Sequence, residues 1–205
     1  MDKGTNRVTL VGSFWTDFRE TETAHGKSYK ALFGVPRKSG FVDIIPVITF
    51  DEIQITKVKG DTACIQGRIL TRESKGVNAM NKIITEVQAS SISYFGYDKP
   101  KNLVQLSGTI VGRGHYRHTP KGKHINNFAV AVPRANGKTD LIHVLAWEDK
   151  AAELQDIYYG EKIEITGRLQ CRGFTKKSDN TKHRVFEVSL TTYKREGVNE
   201  NNKAE

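Results

Sequence analysis

The chain has 205 residues, enough for one ordinary domain or for two small barrels of about 100 residues each. Its 32 Lys and Arg against 23 Asp and Glu leave a formal net charge of +9, which makes polyanions the first partners to consider. No apolar run approaches the roughly 20 residues of a membrane helix and the polar start at Met1-Asp2 is no signal peptide, so a soluble cytoplasmic protein is expected.

In chain order, Asn6-Arg-Val-Thr-Leu-Val-Gly12 alternates apolar and polar residues as a half-buried strand does. Gly26-Lys27 marks a turn, and Val35-Pro36-Arg37 and Asp43-Ile-Ile45-Pro-Val47 lie in two further strands. Pro46 interrupts the amide ladder of the second of these, because proline has no N–H to donate. Asp51 to Lys59 is short and rich in Ile, Thr and Val. Gly67-Arg68, Arg72 and Glu86-Val87 fall in the last two strands of the series, and Gly96-Tyr-Asp-Lys-Pro-Lys101 is a short polar link that allows little travel.

The series then begins again. Asn102-Leu-Val-Gln-Leu-Ser-Gly108, Gly122-Lys123, Val132-Pro133-Arg134, Asp140-Leu-Ile142-His-Val144, Gly167-Arg168, Arg172 and Glu187-Val188 repeat the first half in the same order. Between the third and fourth strands, Glu148 to Tyr159 places Ala151, Ala152, Leu154 and Ile157 on one helical face ahead of Gly160. The matching Asp51 to Lys59 stretch is a weaker helix, open to loss. The expected fold is all-β: two tandem five-stranded OB-fold barrels, each with a short helix between strands 3 and 4. Residues 1–97 form the diverged first barrel, 98–195 the second, and 196–205 a polar, disordered tail.

A small barrel has one interior, so aromatic and basic residues on the opposite strand parity are candidates for a binding face. Leu141, His143, Leu145 and Trp147 share that parity on the third strand of the second copy, and Arg168, Gln170, Arg172 and Phe174 share it on the fourth. Unstacked bases offer π-faces to Trp and Phe while Arg and Lys follow phosphates, so this face suits single strands without reading their sequence. The loop from Arg113 to Lys123 adds Arg113, Arg117, His118, Lys121 and Lys123, and a second basic loop contributes Lys176 and Lys177. Arg134 and, by the repeat, Phe50, Arg37, Arg68, Arg72 and Lys27 complete the candidate set.

Catalytic and metal readings find no support in the sequence. Cys64 and Cys171 are far apart with no CxxC, the six histidines form no ligand-spaced cluster, no GxxxxGK[ST] occurs, and no nucleophile stands in a pattern with a base. No metal, cofactor or enzymatic activity is expected.

Asn102-Leu-Val-Gln-Leu-Ser-Gly-Thr-Ile, Arg117-His-Thr-Pro-Lys-Gly-Lys, Asn127-Phe-Ala-Val-Ala-Val, His143-Val-Leu-Ala-Trp147 and Gly167-Arg-Leu-Gln-Cys-Arg172 resemble the bacterial single-stranded DNA-binding protein family. Primosomal replication protein N is similar in the Leu-Ser-Gly-Thr opening. The resemblance covers nearly all of the second copy and implies sequence-independent binding of single-stranded DNA in replication, recombination, repair or plasmid and phage DNA processing. It implies stacking by Trp147 and Phe174, with Phe50 in the position of Trp147 within the first copy. Leu141 and Ile44 stand where the family often has Trp, so stacking there is not carried over. The resemblance also implies a homodimer that assembles four OB folds. RNA is the other strand that the same chemistry admits, and replication or recombination proteins are further partners to expect. The chain ends in Asn199-Glu-Asn-Asn-Lys-Ala-Glu205, which is not the acidic, apolar tip with which family members recruit enzymes. The alternative is a primosome or replisome interaction module with secondary nucleic-acid binding. Residues 1–100 carry 14 basic and 11 acidic side chains and residues 101–205 carry 18 and 12, which makes the second barrel the stronger DNA candidate.

Overall fold

The computed structural model describes residues 4–23, 26–55, 59–75, 81–94, 99–175 and 182–196. In the first copy these form β1 (Thr5–Phe14), β2 (Arg19–Thr23), β3 (Gly26–Pro36), β4 (Val42–Thr49), β5 (Thr62–Lys75) and β6 (Asn81–Ser93). In the second they form β7 (Lys101–His118), β8 (His124–Pro133), β9 (Thr139–Trp147), the helix α1 (Asp149–Glu153), β10 (Lys162–Thr175) and β11 (Lys182–Arg195).

The strands of the first copy pair in the order β1-β3-β4-β6-β5, and β5 returns to β1. Those of the second pair in the order β7-β8-β9-β11-β10, and β10 returns to β7. Each copy therefore closes on itself with its last strand parallel to an inner one, β6 to β4 at Val47↔Val87 and β11 to β9 at Val188↔Val144. This is the strand order of an OB fold. By packing, the chain separates into two compact units: Met1–Asn6 with Gln105–Arg168 and Val188–Glu205, and Arg7–Val104 with Leu169–Glu187. The outer ends of β10 and β11 thus belong to the unit that holds most of the first copy.

Alternation fills each interior. Leu10, Phe33, Ile45, Ile65 and Ile69 are fully buried in one copy, and Val104, Ile110, Val130, Ile142 and Ile163 in the other. Each such side chain contributes about 1.5–3 kcal/mol by leaving water. The repeat is also visible in how β5 meets β1 and β10 meets β7. Gly60 and Gly160, at φ +96° and +90°, donate their N–H groups to the carbonyls of Phe14 and Ile110 at 2.8 and 3.0 Å. The N–H groups of Phe14 and Ile110 in turn donate to Asp61 and Glu161. Only glycine adopts that backbone conformation without strain.

Three local features differ from the sequence expectation. Among the described residues the first copy has six strands, because the stretch that runs on as β7 in the second copy breaks at Trp15 to Phe18 and resumes as β2, paired with β3 from Arg19↔Lys30 to Thr23↔Gly26. In β7 the same place is passed by a bulge between Val111 and His115. The helices are short: one 3-10 turn, Glu52–Ile55, in the β-branched stretch of the first copy, and five residues in α1. Ala151, Leu154 and Ile157 are buried as expected, but Ala152 faces out.

Pro46 does not interrupt β4. Leu32, its partner on β3, donates its N–H to Thr16 Oγ1 at 2.9 Å and accepts from the N–H of Trp15 at 2.8 Å. Leu32↔Pro46 is therefore a pair without mutual hydrogen bonds, the one kind of position in a ladder where proline costs nothing on that side.

Beside α1, Arg195 on β11 donates to Glu161 and, at 2.9 Å, to Asp156, while the Tyr193 hydroxyl donates to Glu153 at 2.7 Å. Burial first, then that bond and the charge of Glu153, push the Tyr193 phenol up to about 12. Among the described residues no helix is long and apolar enough to cross a membrane.

Candidate nucleic-acid interface

Strand register places residues of β7, β8 and β9 in rows on the face opposite the core. Successive rows are Thr109, Ala131 and Leu141; Val111, Ala129 and His143; His115, Asn127 and Leu145; and Arg117, Ile125 and Trp147. The first two rows have alanine in the middle, which makes a shallow floor. The last row ends it with a guanidinium and an indole whose Cα atoms are two strand spacings, about 10 Å, apart. Trp147 and Arg117 are half-buried, and His143 is exposed. Leu145, expected on the outer face with them, is buried at 2 % exposure, and Ile125 between Arg117 and Trp147 is buried as well, whereas His115 in the row of Leu145 is exposed.

The β7–β8 hairpin carries the basic loop beyond this row. Thr119 accepts the N–H of Gly122 at 2.9 Å and donates its own to Lys123 at 2.8 Å, while its hydroxyl oxygen accepts the N–H of Lys123 at 3.1 Å. This turn holds Lys121 at an exposed tip, with Arg113 and Lys123 also exposed. Lys123 lies 3.8 Å from Glu148, a surface pair of little energetic weight. At the base of the hairpin, Tyr116, His118 and His124 form a ring cluster. The His118 and His124 rings stand opposite each other with centroids 4.4 Å apart, and the Tyr116 hydroxyl is hydrogen-bonded to His124 Nδ1. Sequence reading missed Tyr116 and His124. The pairing of His118 with His124, which brings Tyr116 to the same ring cluster, becomes visible only once the turn is known to close on Thr119 to Lys123.

Several candidate cations are held by carboxylates. Arg134 Nε donates to Asp140 Oδ2 at 2.9 Å and its Nη2 to Oδ1, and Asp140 is 1 % exposed. Arg37 makes the same bidentate pair with buried Asp43, its Nε at 2.7 Å from Oδ2, and this hydrogen bond raises the guanidinium further above its ordinary value. Each pair spans a hairpin closed in the same way, from Arg37 to Phe41 and from Arg134 to Lys138. Arg72 and Arg172 each donate through Nε, at 3.3 and 3.2 Å, to buried Glu86 and Glu187. Arg68 Nε donates to Gln88 at 3.1 Å. Lys27 pairs with Glu20 at 2.9 Å on the surface, and that hydrogen bond keeps its proton more tightly held than usual.

Arg168 is half-buried, and Gln170, expected to face out, is buried against Glu187 at 3.0 Å. Cys171 is half-buried, and that burial raises its thiol. Phe174 lies in β10, its side chain outside the described residues, and Lys176 and Lys177 are outside them altogether. Trp147, His143, Arg113, Arg117, Lys121, Lys123, Arg134 and Arg168 belong to one compact unit, and Phe50, Arg37, Arg68, Arg72, Lys27, Arg172 and Phe174 to the other. Phe50 is 44 % exposed, and so is a residue not selected from sequence, Trp15, at 47 %.

Fold and face together define an OB-fold protein with a basic and aromatic sheet surface. Residues 101–195 match the Single-strand binding protein family. No curated protein matches it. Among solved structures it is similar to the wild-type single-stranded DNA binding protein from Thermus aquaticus, with TM-score 0.77 at 19% identity, over 96% of this chain and 95% of that one. A deletion variant of the same Thermus protein gives TM-score 0.73 at 19% identity, over 99% and 100%. The likeness is one of fold, and it extends through both copies.

Proposed function

We propose that the chain binds single-stranded DNA without reading its sequence, as a non-enzymatic coating protein in replication, recombination or repair. The observation that carries this reading is the pair Arg117 and Trp147, half-buried on either side of buried Ile125 in one cross-strand row, next to a hairpin with exposed Lys121 and Lys123. Bases stack on the indole, and the hairpin cations follow the backbone. The match of residues 101–195 to the Single-strand binding protein family supports the same reading.

In this proposal the chain is two tandem barrels, residues 1–97 and 98–195, followed by the tail 196–205, and it works in the cytoplasm as a homodimer with four OB folds. The closing of each copy on itself supports the first part. Titration with oligo-dT, followed by tryptophan emission, tests the function: saturable quenching that weakens steeply with salt and is absent with duplex is expected. Equal affinity for duplex overturns it.

A further inference from the structure

The first copy carries an aromatic that the repeat does not prepare for. Trp15 stands where the second copy has Val111, at the break between β1 and β2. Its backbone N–H is bonded to Leu32, which fixes where the side chain starts. The indole then lies on Gly34: a Cβ built on that glycine would come within 1.9 Å of Trp15 Nε1 and 2.3 Å of its Cδ1. Any other residue at position 34 would displace the ring. Gly34 pairs with Ile44, half-buried on the parity opposite the core, so the indole rests on the outer face of β3 while nearly half its surface stays in solvent.

That face continues in register. Leu32 pairs with Pro46, both half-buried, Lys30 pairs with Arg19 on one side and with buried Ile48 on the other, and exposed Phe50 follows one residue beyond β4. Ile44 to Phe50 is six residues, about 20 Å of strand, with a half-exposed aromatic side chain at each end. Two cations lie between them. Arg19 and Lys30 stand directly opposite each other, an arrangement that destabilises a sheet unless something neutralises it. Lys30 is paired with Glu86 at 2.9 Å, whereas exposed Arg19 has no carboxylate partner among the described residues. Two aromatics separated by unneutralised positive charge match the chemistry of unpaired bases on an anionic backbone.

We infer that the first copy has its own single-strand site, with Trp15 as a base-stacking residue, Phe50 at the far end of the track and Arg19 on the phosphates. The inference rests on the proposed function and extends it to the copy whose charge and motifs are weaker.

Trp15 and Trp147 are the two tryptophans of the chain, so each copy can be read separately. In Trp147→Phe only Trp15 emits, and oligo-dT is expected to quench it. In Trp15→Phe only Trp147 emits. Quenching of Trp147 with no change at Trp15 overturns the inference and leaves the proposed function standing, whereas no change at either removes both. Trp15→Ala is expected to weaken oligo-dT binding about tenfold, and Trp15→Phe, which keeps a stacking ring, to retain most of the affinity. An alanine variant with native circular dichroism and wild-type affinity would also overturn it. Gly34→Ala, which displaces the indole, is expected to behave as Trp15→Ala does.

Discussion

Asp140 accepts both Nε and Nη2 of Arg134 across the turn that joins β8 to β9, and does so at 1 % exposure. A carboxylate so buried is tolerable only while its partner is present. Arg134→Ala is expected to destabilise the protein by about 3–5 kcal/mol, and Arg37→Ala somewhat less, because Arg37 is the more exposed of the two. Urea unfolding measures the loss. Folded Arg134→Ala should keep its affinity for oligo-dT, and a selective loss of DNA binding without a loss of stability would return Arg134 to the interface.

Trp147→Ala is expected to weaken oligo-dT binding by about 1–3 kcal/mol with the salt dependence unchanged, since stacking releases no counterions. Lys121→Ala should do the reverse, with a small drop in affinity and a salt slope shallower by about one. Titrations at several salt concentrations separate the two. Identical slopes for all three proteins would place Lys121 off the strand.

The glycines at φ +96° and +90° give a paired prediction. Gly60→Ala and Gly160→Ala should each cost about 1–2 kcal/mol, the penalty of left-handed backbone for a residue with a Cβ. Nothing lies within 4 Å of either added methyl, so strain alone is measured. A cost near zero would mean that the turns rearrange.

Tyr193 predicts an alkaline limit. Its phenol is raised in the folded protein to about 12, so the contribution to stability is complete below the ordinary tyrosine value near 10 and is lost as pH rises from there toward 12. Tyr193→Phe should flatten the fall in stability across that window. Phenolate absorbance should show one fewer late-ionising tyrosine in the variant, with Tyr29 held up by burial in both proteins.

Much of the fold was legible because repetition and alternation are both linear in the sequence. The doubled motifs marked equivalent strands, and period two marked their inner faces. The roles of the arginines were less legible. Val-Pro-Arg and the Asp six residues later were both visible in each copy, but only the hairpin between them turns two neighbours in a pattern into an ion pair. Trp15 was hidden for a different reason: what makes it a surface residue is the missing side chain of Gly34, nineteen positions away and on another strand. Leu145 and Gln170 show the limit of parity, which assigns a face but does not say what covers it.

The matched Arg–Asp clamps and matched glycine turns give this chain an internal reference. A substitution in one copy can be compared with the same substitution in its twin, in one molecule and under one set of conditions. Where the two respond alike, the cause is the shared architecture. Where they part, as Trp15 parts from Val111, the difference belongs to what each copy holds.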